Sequence, residues 1–337
     1  GYVEVEMTRK VYLASVGTRS GKSVLSLGLA MNYPGKVGFY KPFRESIVVK
    51  DGQPMDQDAI LMASVLQLPA AEKLSPFVYD MYDPIPIDRI VEGYDEVREG
   101  KEFMIVEGSR DLANGYSCGI SSFDIAKAVD APIVLVSSTT QQSLESAFLF
   151  KEICEKRGLE LKGVVINRCD GNKERDFLES KGMTVIGGIP NIPQISTFHV
   201  IEITEMIPSK ILAGRAGLNK IVEDVLVGAM SPQVAMRYMR RSKQKAVITG
   251  GDRTEIMLAA LSTNTSCIVV TGGITPSRMV TSRAEEIGVP IIMTEEDTLT
   301  VVEALEHLIA RINPDDKEKI ELITRGIRKG LDLDLIW

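Results

Sequence analysis

Apolar residues in this chain fall into short runs separated by amphipathic stretches. The runs Val11–Val16, Val37–Lys41, Phe103–Glu107, Ile133–Ser137, Gly163–Asn167 and Thr184–Ile189 have strand length. Each is nearly continuous in apolar character, the signature of strands buried on both faces. Between them, Ser23–Met31, Asp56–Leu66, Ser121–Val129 and Gln142–Arg157 carry apolar residues at helical spacing. Such alternation predicts an α/β fold: a parallel sheet covered by helices on both faces. Right-handed crossovers would then gather functional groups at the carboxyl ends of the strands. The interval Leu68–Asp88 holds four prolines and predicts a long irregular excursion.

The alternation pauses near Pro208–Leu218. A smaller α/β unit is predicted beyond it, with strands at Ala246–Thr249, Cys267–Val270 and Pro290–Met293. The expected division is 1–212 and 213–337, the second part ending in a helical tail.

The first junction carries the strongest chemical signal. Lys10–Ala30 reads KVYLASVGTRSGKSVLSLGLA: an apolar strand, a glycine-containing loop, Gly21-Lys22-Ser23, then an apolar helix. This is the anatomy of a P-loop. Backbone N–H groups of Gly17, Thr18, Arg19, Ser20 and Gly21 would wrap a triphosphate. The Lys22 ammonium would neutralise its oxygens, and the Ser23 hydroxyl would meet Mg²⁺. The spacing is irregular, because the usual G-x-x-x-x-G-K-[ST] pattern needs glycine at position 16, where Val16 stands.

A P-loop needs an acidic partner for the cation. Glu107 ends an apolar strand, the Walker B arrangement, and is the first candidate. Asp58 is the second; as a helix-opening acid it also reads as an ordinary N-terminal charge. Lys41 follows the second strand and reads either as a group facing the γ-phosphate or as a strand-end surface lysine. Asn167 ends the Gly163–Asn167 run. Its amide suits an adenine edge, although asparagine also favours turns. Gly187-Gly188 could press backbone against the base.

Taken in order, GTRSGKS, YKPF, DQDA, IVEGS, VVINR and GGIP resemble the motifs of dethiobiotin synthetase-like P-loop proteins. A close relative is the amino-terminal domain of long phosphotransacetylases. The resemblance spans about Lys10 to Pro208. It implies that Lys22, Ser23, Asp58 and Glu107 handle phosphate and Mg²⁺, that Lys41 lies near the transferred phosphate, and that Asn167 contacts adenine. After Glu107-Gly108 comes Ser109-Arg110, where the synthetases continue with glycines.

Further along, Ile248–Glu255 reads ITGGDRTE, and Thr271-Gly272-Gly273-Ile274 follows. From Ala213 to Ile309 the chain resembles a DRTGG domain, the module that follows the P-loop domain in long phosphotransacetylases. Glycines 250 and 251 allow a tight turn after a strand, and Asp252 is placed to cap the next helix. Two such turns side by side read either as structural turns or as an anion cradle. Arg237, Arg240, Arg241, Lys243 and Lys245, beside Met230, Met236 and Met239, read first as the charged and apolar faces of one helix and second as an anion-binding cluster.

Composition narrows the function classes. The formal net charge of −7 argues against a broad nucleic-acid surface. No apolar run reaches the length of a membrane span, and no signal peptide is read at the start. The four cysteines are scattered without a CxxC pair, which fits a reducing cytoplasmic setting. Two histidines leave little material for a His-based metal site or triad.

The leading expectation is a cytoplasmic Mg·ATP-binding protein with a regulatory or sensory role. Its partners would be nucleotide and either another protein or a second copy of itself. It would resemble the front half of a phosphotransacetylase without the acyl-transfer half. The alternative is an ATP-dependent ligase that activates a carboxylate, with Lys22 and Lys41 as catalytic residues. A degenerate scaffold that binds no nucleotide is the third reading.

Overall fold

The computed structural model describes residues 8–17 and 21–337. Thr18, Arg19 and Ser20, three of the expected loop residues, lie outside the described residues. Two compact units form: 1–192 together with 312–337, and 193–311.

The first unit begins with β1 (Arg9–Val16), α1 (Lys22–Asn32) and β2 (Val37–Tyr40). A small hairpin follows, β3 (Ile47–Lys50) and β4 (Gln53–Asp56), then α2 (Gln57–Val65), α3 (Ala71–Leu74) and α4 (Ile87–Arg98). Next come β5 (Phe103–Glu107), α5 (Ser122–Ala128), β6 (Ile133–Ser137), α6 (Gln141–Arg157), β7 (Leu161–Asn167), α7 (Lys173–Ser180) and β8 (Val185–Ile189). Six strands form one sheet in the order β2-β5-β1-β6-β7-β8. All its pairings are parallel. The expected parallel α/β fold is therefore present. The chain leaves β1 toward β2 on one side, then returns and crosses from β5 to β6 on the other. The carboxyl end of β1 thus lies where strand order reverses, the place for a ligand crevice in such sheets.

The second unit contains β9 (Phe198–His199), α8 (Val200–Met206), β10 (Lys210–Ala213), β11 (Ile221–Val222), β12 (Asp224–Val227) and α9 (Pro232–Met239). It continues with β13 (Lys245–Gly250), α10 (Thr254–Leu261), β14 (Thr265–Thr271), α11 (Arg278–Ile287), β15 (Ile291–Met293) and α12 (Thr298–Ala310). Its sheet runs β10-β15-β14-β13-β12. Only β10 is antiparallel to its neighbour among these pairings. Both faces are covered. Met239, Ile256, Met257, Val280 and Ala284 pack on one side, and Ile203, Val301, Leu305 and Leu308 on the other.

The two glycine turns of this unit do lie side by side: a Cβ on Gly251 would sit 1.7 Å from the Ile274 carbonyl oxygen. Asp252, expected to cap α10, does not. The N-cap position is Arg253, without a side-chain cap, because the turn carries the chain one residue further before the helix starts. Lys245 also departs from expectation. Arg237, Arg240, Arg241 and Lys243 are exposed as a charged face should be, but Lys245 is fully buried. It is the first residue of β13, and its ammonium donates to Thr263 Oγ1 (2.9 Å) and the Asn264 carbonyl (2.7 Å).

The division differs from the expected 212/213 boundary at both ends of the second unit. Strand β10 pairs with β15 and so belongs with the later strands. The last helix, α13 (Lys317–Gly330), belongs to the first unit. It packs along α1: Asn32 Nδ2 donates to the Thr324 carbonyl (3.0 Å), and Arg328 Nε donates to Asn32 Oδ1 (2.9 Å). Beyond it, the Asp332 N–H donates to the Ile186 carbonyl of β8 (3.0 Å), and the Trp337 ring meets Tyr33 and Phe103 edge-on. No helix among the described residues is long and apolar enough to cross a membrane.

Candidate functional site

Strand β1 is buried along its second half and delivers Ser15, Val16 and Gly17 to the carboxyl end of the sheet. Gly17 and Gly21 bracket the loop, with φ of +87° and +91°. These are left-handed conformations that glycine adopts without steric cost. Each is also closely packed. A Cβ on Gly17 would lie 2.9 Å from Ser143 Oγ, and one on Gly21 would lie 2.5 Å from Asn167 Cγ. Gly21 is the N-cap of α1, so Lys22 and Ser23 are its first two residues.

The Lys22 ammonium is buried and donates to Ser15 Oγ (3.0 Å) and the Ser109 carbonyl (2.7 Å). Burial pushes its pKa below the ordinary lysine value. Lys41, one residue past β2, lies among three carboxyl groups: Asp58 Oδ2 at 2.7 Å, Asp56 Oδ2 at 3.1 Å and Glu107 Oε1 at 3.8 Å. Burial opposes its charge, but Asp58, Glu107 and Asp56 together hold its pKa well above the ordinary value. It is not the surface lysine that the sequence left open.

The environments of Asp58 and Glu107 push their two carboxyl groups in opposite directions. Burial raises both, yet the adjacent Lys41 ammonium and a Ser23 hydrogen bond hold Asp58 down to about 2. Burial and the Asp58 charge push Glu107 well above the carboxylate range. Glu107 is thus the more easily protonated of the two, and its Oε2 accepts from Ser26 Oγ at 2.9 Å.

Gly17, Gly21, Lys22, Ser23, Lys41, Asp58, Glu107 and Asn167 are thus brought to the carboxyl ends of β1, β2, β5 and β7. Gly187-Gly188 is not. Gly187 faces the Gly330 carbonyl, 2.2 Å from where its Cβ would be, and bridges Leu331. Gly187 thus accommodates the chain after α13, while a Cβ on Gly188 would lie 2.9 Å from Cys169 Cβ.

Sequence reasoning also missed residues that build the site. Asp56 caps α2, with Oδ1 accepting from the N–H groups of Asp58 (2.8 Å) and Ala59 (3.2 Å). Its place just before a helix was a readable cap signal. Ser26, one turn after Lys22, could have been found from helical spacing. Glu45 accepts from the Arg110 N–H (2.9 Å), and Ser15 Oγ donates to the Arg110 carbonyl (3.2 Å), which fixes the segment after β5. No local signal announces those two contacts.

Ser23, Asp58 and Glu107 offer a hydroxyl and two carboxyl groups, all hard oxygen donors, with Ser23 and Glu107 both facing Asp58. Among the described residues, no three His, Cys, Asp or Glu side chains form a metal cage by themselves. Mg²⁺ characteristically takes one or two carboxylates and completes its shell with water and phosphate oxygens, so these residues fit it as a metal shared with a phosphate ligand.

A parallel sheet whose central strand leads through a glycine-bracketed loop into a Lys-Ser helix start is a P-loop-type α/β fold. The profile of the AAA domain family matches residues 9–198, and that of the DRTGG domain matches residues 202–308. The chain belongs to the AAA domain family, with a DRTGG domain following. It is similar to the phosphate acetyltransferase of Nitratidesulfovibrio vulgaris, at 24% identity over 97% of this chain and 51% of that protein. The phosphate acetyltransferase of Synechocystis sp. is 24% identical over 93% of this chain and 49% of its own length. The ATP-dependent dethiobiotin synthetase of Clostridium perfringens is 25% identical over 60% of this chain and 99% of that protein. The chain spans about half the length of the phosphate acetyltransferases it matches.

Proposed function

We propose that the first unit binds Mg·ATP at the Gly17–Ser23 loop and that the DRTGG unit responds to that binding. The observation that carries this reading is the convergence of Lys22, Ser23, Lys41, Asp58 and Glu107 on one strand-end crevice. Lys22 would leave Ser109 and Ser15 for phosphate oxygens. Ser23, Asp58 and Glu107 would hold Mg²⁺, which supplies charge neutralisation between phosphate oxygens. The cation would favour the ionised form of Glu107, which burial and the Asp58 charge otherwise disfavour. Lys41 would face the terminal phosphate. Asn167, packed on Gly21, would meet adenine through its donor and acceptor together.

A regulatory role in a cytoplasmic setting is supported by the similarity to part of the phosphate acetyltransferases, with the chain acting on another protein or a second copy. ATP can bias the DRTGG unit only if it binds two states of the protein with different affinity. Two measurements test the proposal. ATP should bind more tightly with Mg²⁺ than without it, and more tightly than GTP. Hydrogen exchange of the Gly250–Glu255 and Thr271–Ile274 turns should change on Mg·ATP binding. Exchange changes confined to residues 1–192 and 312–337 would leave the DRTGG unit uncoupled.

A second reading, carboxylate activation by a ligase, is favoured by the similarity spanning nearly all of a dethiobiotin synthetase and by the buried Lys41. Turnover separates the two. A ligase hydrolyses ATP fast only with its acceptor, whereas a sensor hydrolyses slowly whatever is added.

A further inference from the structure

Three carboxyl groups surround Lys41, and they are not equivalent. Asp56 is fully buried, and both its oxygens are used by the protein itself. Oδ1 accepts from the Asp58 and Ala59 N–H groups. Oδ2 accepts from the Glu45 N–H at 3.0 Å and lies 3.1 Å from the Lys41 ammonium. A carboxylate has about four acceptor positions, so Asp56 has none left for a cation unless it uncaps α2. Asp58 instead accepts from Lys41 and faces Ser23 and Glu107, and Glu107 Oε2 accepts from Ser26 Oγ.

We infer that Asp56 is the positioning residue of the site: it holds the Lys41 ammonium when Asp58 and Glu107 turn to the metal. This rests on the Mg·ATP reading above. Lys41 contacts Asp58 at 2.7 Å, so ammonium and cation compete for the same oxygen. The competition is relieved only if the ammonium keeps another anion that the cation cannot take. Asp56 meets that requirement, and by capping α2 it also fixes where Asp58 starts the helix. Without the Asp56 charge, Lys41 would settle more firmly on Asp58 and Glu107 and resist the cation. The Glu45 N–H orients Asp56 Oδ2, and the Glu45 carboxylate, which accepts from the Arg110 N–H, adds a smaller negative contribution that favours the Lys41 ammonium.

The test is a double-mutant cycle on the full chain, read as the Mg²⁺ concentration that gives half of the metal-dependent tightening of ATP in calorimetry. Asp56→Asn keeps the capping oxygen and loses the charge. In the wild-type background it should raise that concentration about tenfold, with the metal-free protein still folded by thermal melting. In a Lys41→Met background the same change should have little further effect, because the ammonium it restrains is gone. If Lys41→Met does not fold, Lys41→Gln, whose amide still donates to a carboxylate, takes its place. An equal shift in both backgrounds would mean that Asp56 acts on the cation directly or through bulk charge, and would overturn the inference. So would no shift in either background, or an Asp56→Asn protein that does not fold. If Mg²⁺ does not tighten ATP binding to the wild type, the nucleotide reading itself fails, a result visible before any variant is made.

Discussion

Gly28 of α1 lies directly against Ile327 of α13: a Cβ on Gly28 would sit 2.2 Å from Ile327 Cγ1. The absent side chain is what lets the last helix seat on the helix that starts at Lys22. The end of the chain is therefore part of the first unit's core and not an appendage of the DRTGG unit.

Truncating that contact should cost stability in the first unit. Ile327 is fully buried, and Ile327→Ala should destabilise by about 2–5 kcal/mol through lost burial and a residual cavity. Gly28→Ala should destabilise by about 1–3 kcal/mol through overpacking. Urea unfolding monitored at Trp337, which meets Tyr33 and Phe103 edge-on in the same unit, reads both changes. A loss below about 1 kcal/mol for Ile327→Ala would mean that the tail is not load-sharing.

Glu107→Gln should leave the metal-free protein almost unchanged. Burial and the Asp58 charge push the Glu107 carboxyl well above the carboxylate range, toward its neutral form, and glutamine matches that form in size and polarity. It can still accept from Ser26 and donate to Asp58. The Mg²⁺-dependent tightening of ATP should weaken, because the ligand can no longer become anionic. Thermal melts without ligand and calorimetry with Mg·ATP check the two halves. A large drop in the metal-free melting temperature would make Glu107 a fold residue.

Burial of Lys245 lowers its pKa to about 8, with Asp224 opposing the shift. An unfolded lysine titrates near 10.4. Between those values the unfolded chain holds a proton that the native protein has released, so stability rises with pH there. Compared with Lys245→Met, the wild type should gain roughly 2–3 kcal/mol between about pH 8 and 10.5. Below pH 8 the difference should be flat. Urea unfolding of both proteins at pH 7.5 and 10 measures it, and a pH-independent difference contradicts the buried ammonium.

Much of the first unit was legible because its strands are continuous apolar runs. Phe103–Glu107 and Ile133–Ser137 coincide with β5 and β6 residue for residue. The β3–β4 hairpin was missed although Asp51-Gly52 is a hairpin signal with both residues at positive φ. Its strands are short and mostly exposed, and Pro54 interrupts the pattern. Helix α13 advertised a buried stripe through Ile320, Ile323 and Ile327, but a stripe does not say which unit it faces. Chain order suggested the wrong one. In the site, Lys22 and Glu107 were readable because they end or begin regular elements. Asp56 and Asp58 stand two residues apart, and only the backbone geometry separates the cap from the carboxyl that faces Lys41 and Ser23.

The central claim is that the Gly17–Ser23 loop holds the phosphates of Mg·ATP, with Lys22 at their oxygens. Calorimetric titration of Mg·ATP into wild type and Lys22→Ala tests it most directly. Charge-assisted contacts of this kind contribute roughly 1.5–3 kcal/mol, so the variant should bind about ten- to a hundredfold more weakly. Removing Lys22 frees only Ser15 Oγ and the Ser109 carbonyl, and the variant should stay folded. Equal affinity in the two proteins would contradict the assignment of this loop as the nucleotide site.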